Sequence, residues 1–188
     1  MSTEPSSRIP TDPNFRYSWY AKLIFANQRR RYGKELEPAR LWARTSKVFA
    51  ALSLLYGALD RRRSPIEPAL RSLITVRVSQ INWCAFCVDI NSATGLKRGV
   101  SDAQLAALAE FETSPLFDER QKAALAYAEA ITRTDVGVDD ALMARVKACF
   151  DDNAVIELTA LIAFQNMSSK FNSALDVAPQ GFCRLPRK

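Results

Sequence analysis

The chain has 188 residues, 48% hydrophobic and 24% charged, with four cysteines and no histidine. That length supports one domain whose core needs no disulfide or metal staples, and the composition excludes the disordered, fibrous and disulfide-rich classes. The net charge of +6 is uneven: residues 1–63 hold 13 Lys/Arg against 5 Asp/Glu, and residues 64–188 hold 13 against 15.

Arg29–Arg31 and Arg61–Arg63 are the densest basic clusters. Arginines at helix ends complement the helix dipole, and no aromatic-interleaved basic motif accompanies them, so nucleic acid is not an expected partner. The first residues lack a basic segment followed by an apolar one, which argues against a secretory signal. The longest apolar run, Val48–Leu59, is interrupted by Ser53 and Gly57. It is too short for a membrane span, which needs about 20 residues, and reads as a buried core helix. The expected compartment is the cytoplasm, where cysteines are kept reduced. A zinc site would need all four cysteines to converge, so neither a metal nor a cofactor is expected.

In chain order nearly every segment reads as helix, because apolar residues recur at three- and four-residue steps. Residues 1–13, with Pro5, Pro10 and Pro13, form an extended or mobile lead-in. Phe15–Arg31 is a first helix ending before Gly33, and Pro38 opens a short one to about Arg44. Ser46 caps a helix through Leu59, and Pro68 opens the next, to about Asn82. A helix from near Cys84 ends at Gly99, which suits a left-handed terminator. Ser101 with Gln104, and Asp118 with Gln121, are capping-box pairs for two further helices. Asp139 opens one through Phe150, and a long last helix spans roughly Asn153–Leu175. A tail with Pro179, Gly181 and Pro186 follows. The fold class is all-α, a bundle of seven or eight helices.

The chemistry concentrates at Cys84-Ala-Phe-Cys87, with Asn91 four residues on. At about 100° per residue the three side chains fall within roughly 60° on one helical face. Cys84 lies in the first turn, where free N–H groups favour a thiolate, and an i,i+3 pair can close into a disulfide. One sulfur can then be oxidised and the other resolve it. Asn91 hydrogen-bonds but is no base at neutral pH. The plainer alternative is two small buried hydrophobes beside Trp83 and Phe86. A thioredoxin-type reading is weakened because its βαβ pattern is missing.

Residues 70–99, LRSLITVRVSQINWCAFCVDINSATGLKRG, and 157–175, ELTALIAFQNMSSKFNSAL, resemble the carboxymuconolactone decarboxylase/alkylhydroperoxidase AhpD-like family. The resemblance runs from the mid-sixties to Leu175. It divides the chain into a basic N-terminal helical extension (1–64), an AhpD-like core (65–175) and a C-terminal tail (176–188). It implies an all-α bundle assembling as a dimer, trimer or hexamer. By the same resemblance Cys87 is the peroxide-reacting cysteine and Cys84 the resolving one, against the dipole argument that favours Cys84. The family motif has a glutamate twelve residues before the first cysteine and a histidine four after the second. This chain has Ser72 and Asn91 there, so both proton-transferring groups are replaced.

The leading expectation is a weak peroxidase or disulfide reductase, with Ser72 and Asn91 supplying hydrogen bonds to Cys84 and Cys87. Its partners would be a peroxide or disulfide substrate, a dithiol reductant, and further copies of the chain; no membrane is implied. Asp89 and Glu157 are the carboxylates that could replace the base, although helical geometry turns Asp89 away from Cys87 and each reads as a solvated or capping group. A catalytically lapsed oligomeric scaffold is the alternative. Lactone decarboxylation has less support, because that branch normally lacks the CxxC.

Overall fold

The computed structural model describes residues 7–10, 12 and 14–183; Pro5, Pro13 and Pro186 lie outside the described residues. Within them the chain is all helical, with nine α-helices where seven or eight are expected, and one 3-10 turn at Leu108–Glu110. The helices are α1 (Trp19–Tyr32), α2 (Glu37–Trp42), α3 (Ser46–Leu59), α4 (Pro68–Ile81), α5 (Ala85–Lys97), α6 (Asp102–Ala106), α7 (Glu119–Thr132), α8 (Asp140–Cys149) and α9 (Asp152–Ala174). The two shortest, α2 and α6, have six and five residues.

The local signals operate as the residues predict. Ser101 with Gln104, and Asp118 with Gln121, form reciprocal capping boxes. Asp139 and Asp151 accept from the N–H groups of Leu142 and Ala154 at the starts of α8 and α9. Each such cap is worth about 1 kcal/mol. Gly99, just beyond α5, has φ +90°. At α3 the cap differs: Thr45, not Ser46, holds the N-cap position, and it makes no side-chain cap bond.

The central helix is α4, packed against α5, α7 and α9. Leu73, Ile74, Val76 and Val78 are buried on it, against Leu125 of α7 and Leu158 and Ile162 of α9. Each such side chain contributes about 1.5–3 kcal/mol by leaving water. Arg77 is buried among these helices and pairs with Glu129 of α7 through Nε at 2.5 Å.

α1, α2 and α3 form a layer with its own small core of Ala21, Phe25, Ala39, Ala43 and Phe49. The layer lies on the bundle: Trp42 stacks on Phe171 of α9 with ring centres 3.7 Å apart. The lead-in is tethered at Arg8, whose backbone N–H donates to the Leu175 carbonyl at 2.8 Å.

The expectation of a buried core helix at Val48–Leu59 is not met. Of α3 only Phe49 and Leu59 are buried, and Val48, Leu54, Leu55 and Tyr56 are exposed. Hydrophobicity all round a helix signals two covered faces, and among the described residues α3 finds cover for one. Among the described residues no helix is long and apolar enough to cross a membrane.

Candidate active site

Cys84 stands where two helices meet. α4 ends in a six-to-one bond from the Cys84 N–H to the Ser79 carbonyl (3.0 Å) and a five-to-two bond from Trp83 to Gln80 (3.2 Å). This is a Schellman closure, and the left-handed position in it belongs to Trp83, with φ +56°. A non-glycine residue there costs about 1–2 kcal/mol. Cys84 leaves this turn directly as the N-cap of α5, its sulfur accepting from the Cys87 N–H at 3.1 Å.

Cys84 and Cys87 are joined as a disulfide, with Cα atoms 5.2 Å apart. The closed pair is the disulfide that the i,i+3 spacing permits, and Cys149 and Cys183 are free thiols. Both sulfurs are buried in an apolar cluster that includes Leu41, Phe86 and Val177. The polar partner of Cys87 comes from α9: Asn172 Nδ2 donates to its sulfur at 3.2 Å, while Asn172 Oδ1 is buried without a partner. Asn172 is fixed by a second Schellman closure, since its carbonyl accepts from the Val177 N–H at 3.0 Å and Asp176 takes the left-handed position with φ +54°.

Cys87, Asn91 and Ser72 all line one cavity of about 390 Å³ beneath the α1–α3 layer; Cys84 does not line it. Its walls are mostly apolar, with Phe49, Leu52, Ile90 and Phe164 among them. Asn91 turns its amide to Ser79 Oγ (3.4 Å), which also accepts from Gln165 of α9 at 2.9 Å. Ser72 lies further along α4, where its Oγ donates to the Pro68 carbonyl at 3.1 Å and accepts from Arg98 at 3.5 Å. Its Cβ would stand only 3.3 Å from a Cβ added at Gly95, so α4 and α5 are closely apposed there. Neither Ser72 nor Asn91 hydrogen-bonds to a sulfur among the described contacts; Asn172 does.

The two carboxylates considered as bases are engaged elsewhere. Asp89 is buried, not solvated, and accepts backbone N–H bonds from Gln180, Phe182 and Cys183 at 3.0, 3.0 and 2.7 Å. The helical-face argument that turns it away from Cys87 fits this position. Glu157 is paired with Arg61 at 2.5 Å and with the Ser64 hydroxyl, and is also largely buried. At the far end of the cavity Asp60 accepts from Arg98 Nη2 at 2.8 Å on both oxygens and has Arg71 Nε 3.5 Å away. Burial holds the Arg71 guanidinium below the usual arginine range, with Asp60 opposing that effect. Among the described residues no group of three or more Cys, Asp or Glu side chains is placed to hold a metal.

The sequence reading passed over Asn172 and the Asp60–Arg71–Arg98 cluster. A signal for the first was present: Gln165, Asn166 and Asn172 interrupt a helix otherwise rich in apolar residues.

A model of the carboxymuconolactone decarboxylase family matches residues 46–130. The Escherichia coli (strain K12) protein YnjA is 48% identical over 192 residues, covering 100% of this chain and 99% of that one. This chain belongs to the carboxymuconolactone decarboxylase family. Its fold is shared by an alkylhydroperoxidase AhpD core protein, described as peroxidase-related, from Ralstonia eutropha JMP134. That likeness has a TM-score of 0.85 and 19% identity, over 96% of each chain. The debrominase Bmp8 shares it too, with a TM-score of 0.77 and 21% identity over 87% of this chain and 88% of that one. A cysteine-to-alanine variant of that debrominase has been solved with 2,3,4-tribromopyrrole. As a family member the chain carries the AhpD-like bundle without a histidine anywhere in it.

Proposed function

We propose that this protein is a thiol-dependent peroxidase of the AhpD-like kind, with Cys87 reacting and Cys84 resolving. The observation that carries the reading is that Cys87 faces the cavity and Cys84 does not. A substrate in the cavity thus meets one sulfur of the pair, the one that the family resemblance also selects. The N-cap bond from the Cys87 N–H favours a thiolate on Cys84, as the dipole argument has it, but Cys84 does not line the cavity, so access to the substrate favours Cys87.

The cycle balances in three steps. The Cys87 thiolate attacks the terminal oxygen of a hydroperoxide; the O–O bond breaks, an alcohol leaves with a proton, and Cys87 becomes a sulfenic acid. The Cys84 thiol attacks that sulfur, forming the disulfide and releasing water. An external dithiol then supplies two electrons and two protons and is itself oxidised. The closed pair corresponds to the state before that reduction.

The amide of Asn172 supports the first step by donating to the sulfur that bears the charge. Among the described residues no carboxylate partners either sulfur, and the chain has no imidazole, so proton removal is left to solvent or substrate. A positioned base contributes about 10²- to 10⁴-fold, and the rate should lie below that of relatives with the full relay. An unassisted thiol is still a few per cent thiolate at pH 7. The test counts free thiols in reduced protein before and after stoichiometric peroxide. Wild type should lose the thiols of Cys84 and Cys87 together, and retention of both defeats the reading.

The missing base also favours a second reading, a lapsed enzyme kept as an oligomeric scaffold. In it a Cys84→Ser/Cys87→Ser variant would replace wild type fully in a deletion strain; loss of phenotype rescue would rule it out. Both readings share a homo-oligomer, supported by the uncovered apolar face of α3.

A further inference from the structure

The cavity has two chemically different ends. Cys87, Asn91, Thr94 and Arg98 line it from one helix, at steps of four, three and four residues along α5 and its cap. Eleven residues of helix separate Cys87 from Arg98 by about 16 Å. Along α9 the same span recurs in the opposite sense, with Asn172 near the sulfur and Leu161 toward the other end. The reactive sulfur and the guanidinium groups therefore bracket an elongated, mainly apolar channel.

The far end carries more positive than negative charge. Arg71 and Arg98 converge on the carboxylate of Asp60, Glu157 also acts on Arg71 but is itself paired with Arg61, and Arg31 lines the cavity as well. Arg71 is 4% exposed, and its buried Nε faces Asp60 at 3.5 Å, an ion pair without a hydrogen bond. Its Nη1 donates to the Arg61 carbonyl at 3.2 Å. Buried cations are normally matched by anions with their donors satisfied. Two guanidiniums on one carboxylate leave a site that a second carboxylate would complete.

Resting on the peroxidase reading, we propose that the substrate class is an elongated carboxylate-headed amphiphile. Its head seats at Arg71 and Arg98, and its apolar chain runs along the channel to place a hydroperoxide at Cys87. The volume of about 390 Å³ is within the range of about 300–1,000 Å³ that holds small organic ligands. Small uncharged peroxides would react without positioning, whereas this class would be held by charge at one end and aligned by chain length.

The test uses unreactive probes, so it does not depend on turnover. Calorimetric titration of the disulfide form with decanoate and with methyl decanoate should give an affinity roughly tenfold to a hundredfold higher for the acid, the worth of a charged hydrogen bond. That ratio should collapse toward unity in Arg98→Gln. Equal binding of acid and ester by wild type, or an unchanged ratio in a folded Arg98→Gln, overturns the proposal. A second measurement needs no variant. In the reduced wild type, decanoate should slow alkylation of Cys87 and acetate should not; absence of that protection also overturns it. If decanoate binds and protects while peroxide leaves the thiols intact, the peroxidase reading fails and the anionic site stands.

Discussion

Asn172, at the end of α9, donates its side-chain amide to the sulfur of Cys87, 85 residues earlier in the chain, at 3.2 Å. The contact gives the sulfur a fixed dipole. It can stabilise a thiolate, but it cannot take the thiol proton. Asn172→Leu should therefore slow thiol oxidation by peroxide about ten- to hundredfold, the range for a hydrogen bond to a charged group. Its stability should change little, because Oδ1 has no partner to lose. Stopped-flow oxidation of the reduced variant, with thermal melting as control, checks both halves.

Asp89 ties the C-terminal segment over the disulfide. Its carboxylate accepts three backbone N–H bonds from Gln180, Phe182 and Cys183, and Val177 and Phe182 of that segment pack in the cluster that holds Cys84 and Cys87. Asp89→Ala should cost about 2–4 kcal/mol, since each donor loses a charged acceptor. Reduction of the disulfide by dithiothreitol should become faster as the cover loosens. Hydrogen exchange at residues 177–183, alongside the reduction rate, provides the check; an unchanged reduction rate would detach the segment from the site.

Trp83 occupies a left-handed backbone position and is 88% exposed. Glycine removes the conformational strain but adds disorder to the unfolded chain. Trp83→Gly should stabilise by about 0.5–1 kcal/mol in chemical denaturation, with the disulfide still closed. A loss of stability would mean that the exposed ring makes contacts outside this chain.

The exposed side of α3 gives the oligomer expectation a concrete target. Leu54 is 76% exposed on a helix that is apolar on both faces. Leu54→Glu should shift the protein toward monomer in sedimentation velocity at micromolar concentration. Unchanged sedimentation would place any interface between copies elsewhere.

What the sequence revealed follows from the range of each signal. Caps are local, so Ser101, Asp118 and Asp139 could be read from a few neighbouring residues, as could Gly99 beyond α5. The CxxC spacing predicted a pair able to close on one helix, and the pair is closed. The turn at Trp83 carried no glycine to announce it. The burial of Asp89 depends on a segment about ninety residues away, and its helical face shows only what it does not point at. α3 misled because hydrophobicity states how much surface needs covering, not which molecule covers it. Asn172 stood out as a polar residue in α9, but its partner, like those of the Asp60–Arg71–Arg98 cluster, could not be read, because partners far apart in the chain meet only once the helices are packed.

The most direct measurement of the central claim is to trap the first oxidised sulfur. In Cys84→Ser, treated with one equivalent of hydroperoxide in the presence of dimedone, mass spectrometry should find the sulfenic adduct on Cys87. In Cys87→Ser, Cys84 should remain unmodified over the same interval. An adduct on Cys84 in Cys87→Ser, with none on Cys87 in Cys84→Ser, would contradict the assignment of Cys87 as the residue that meets the peroxide.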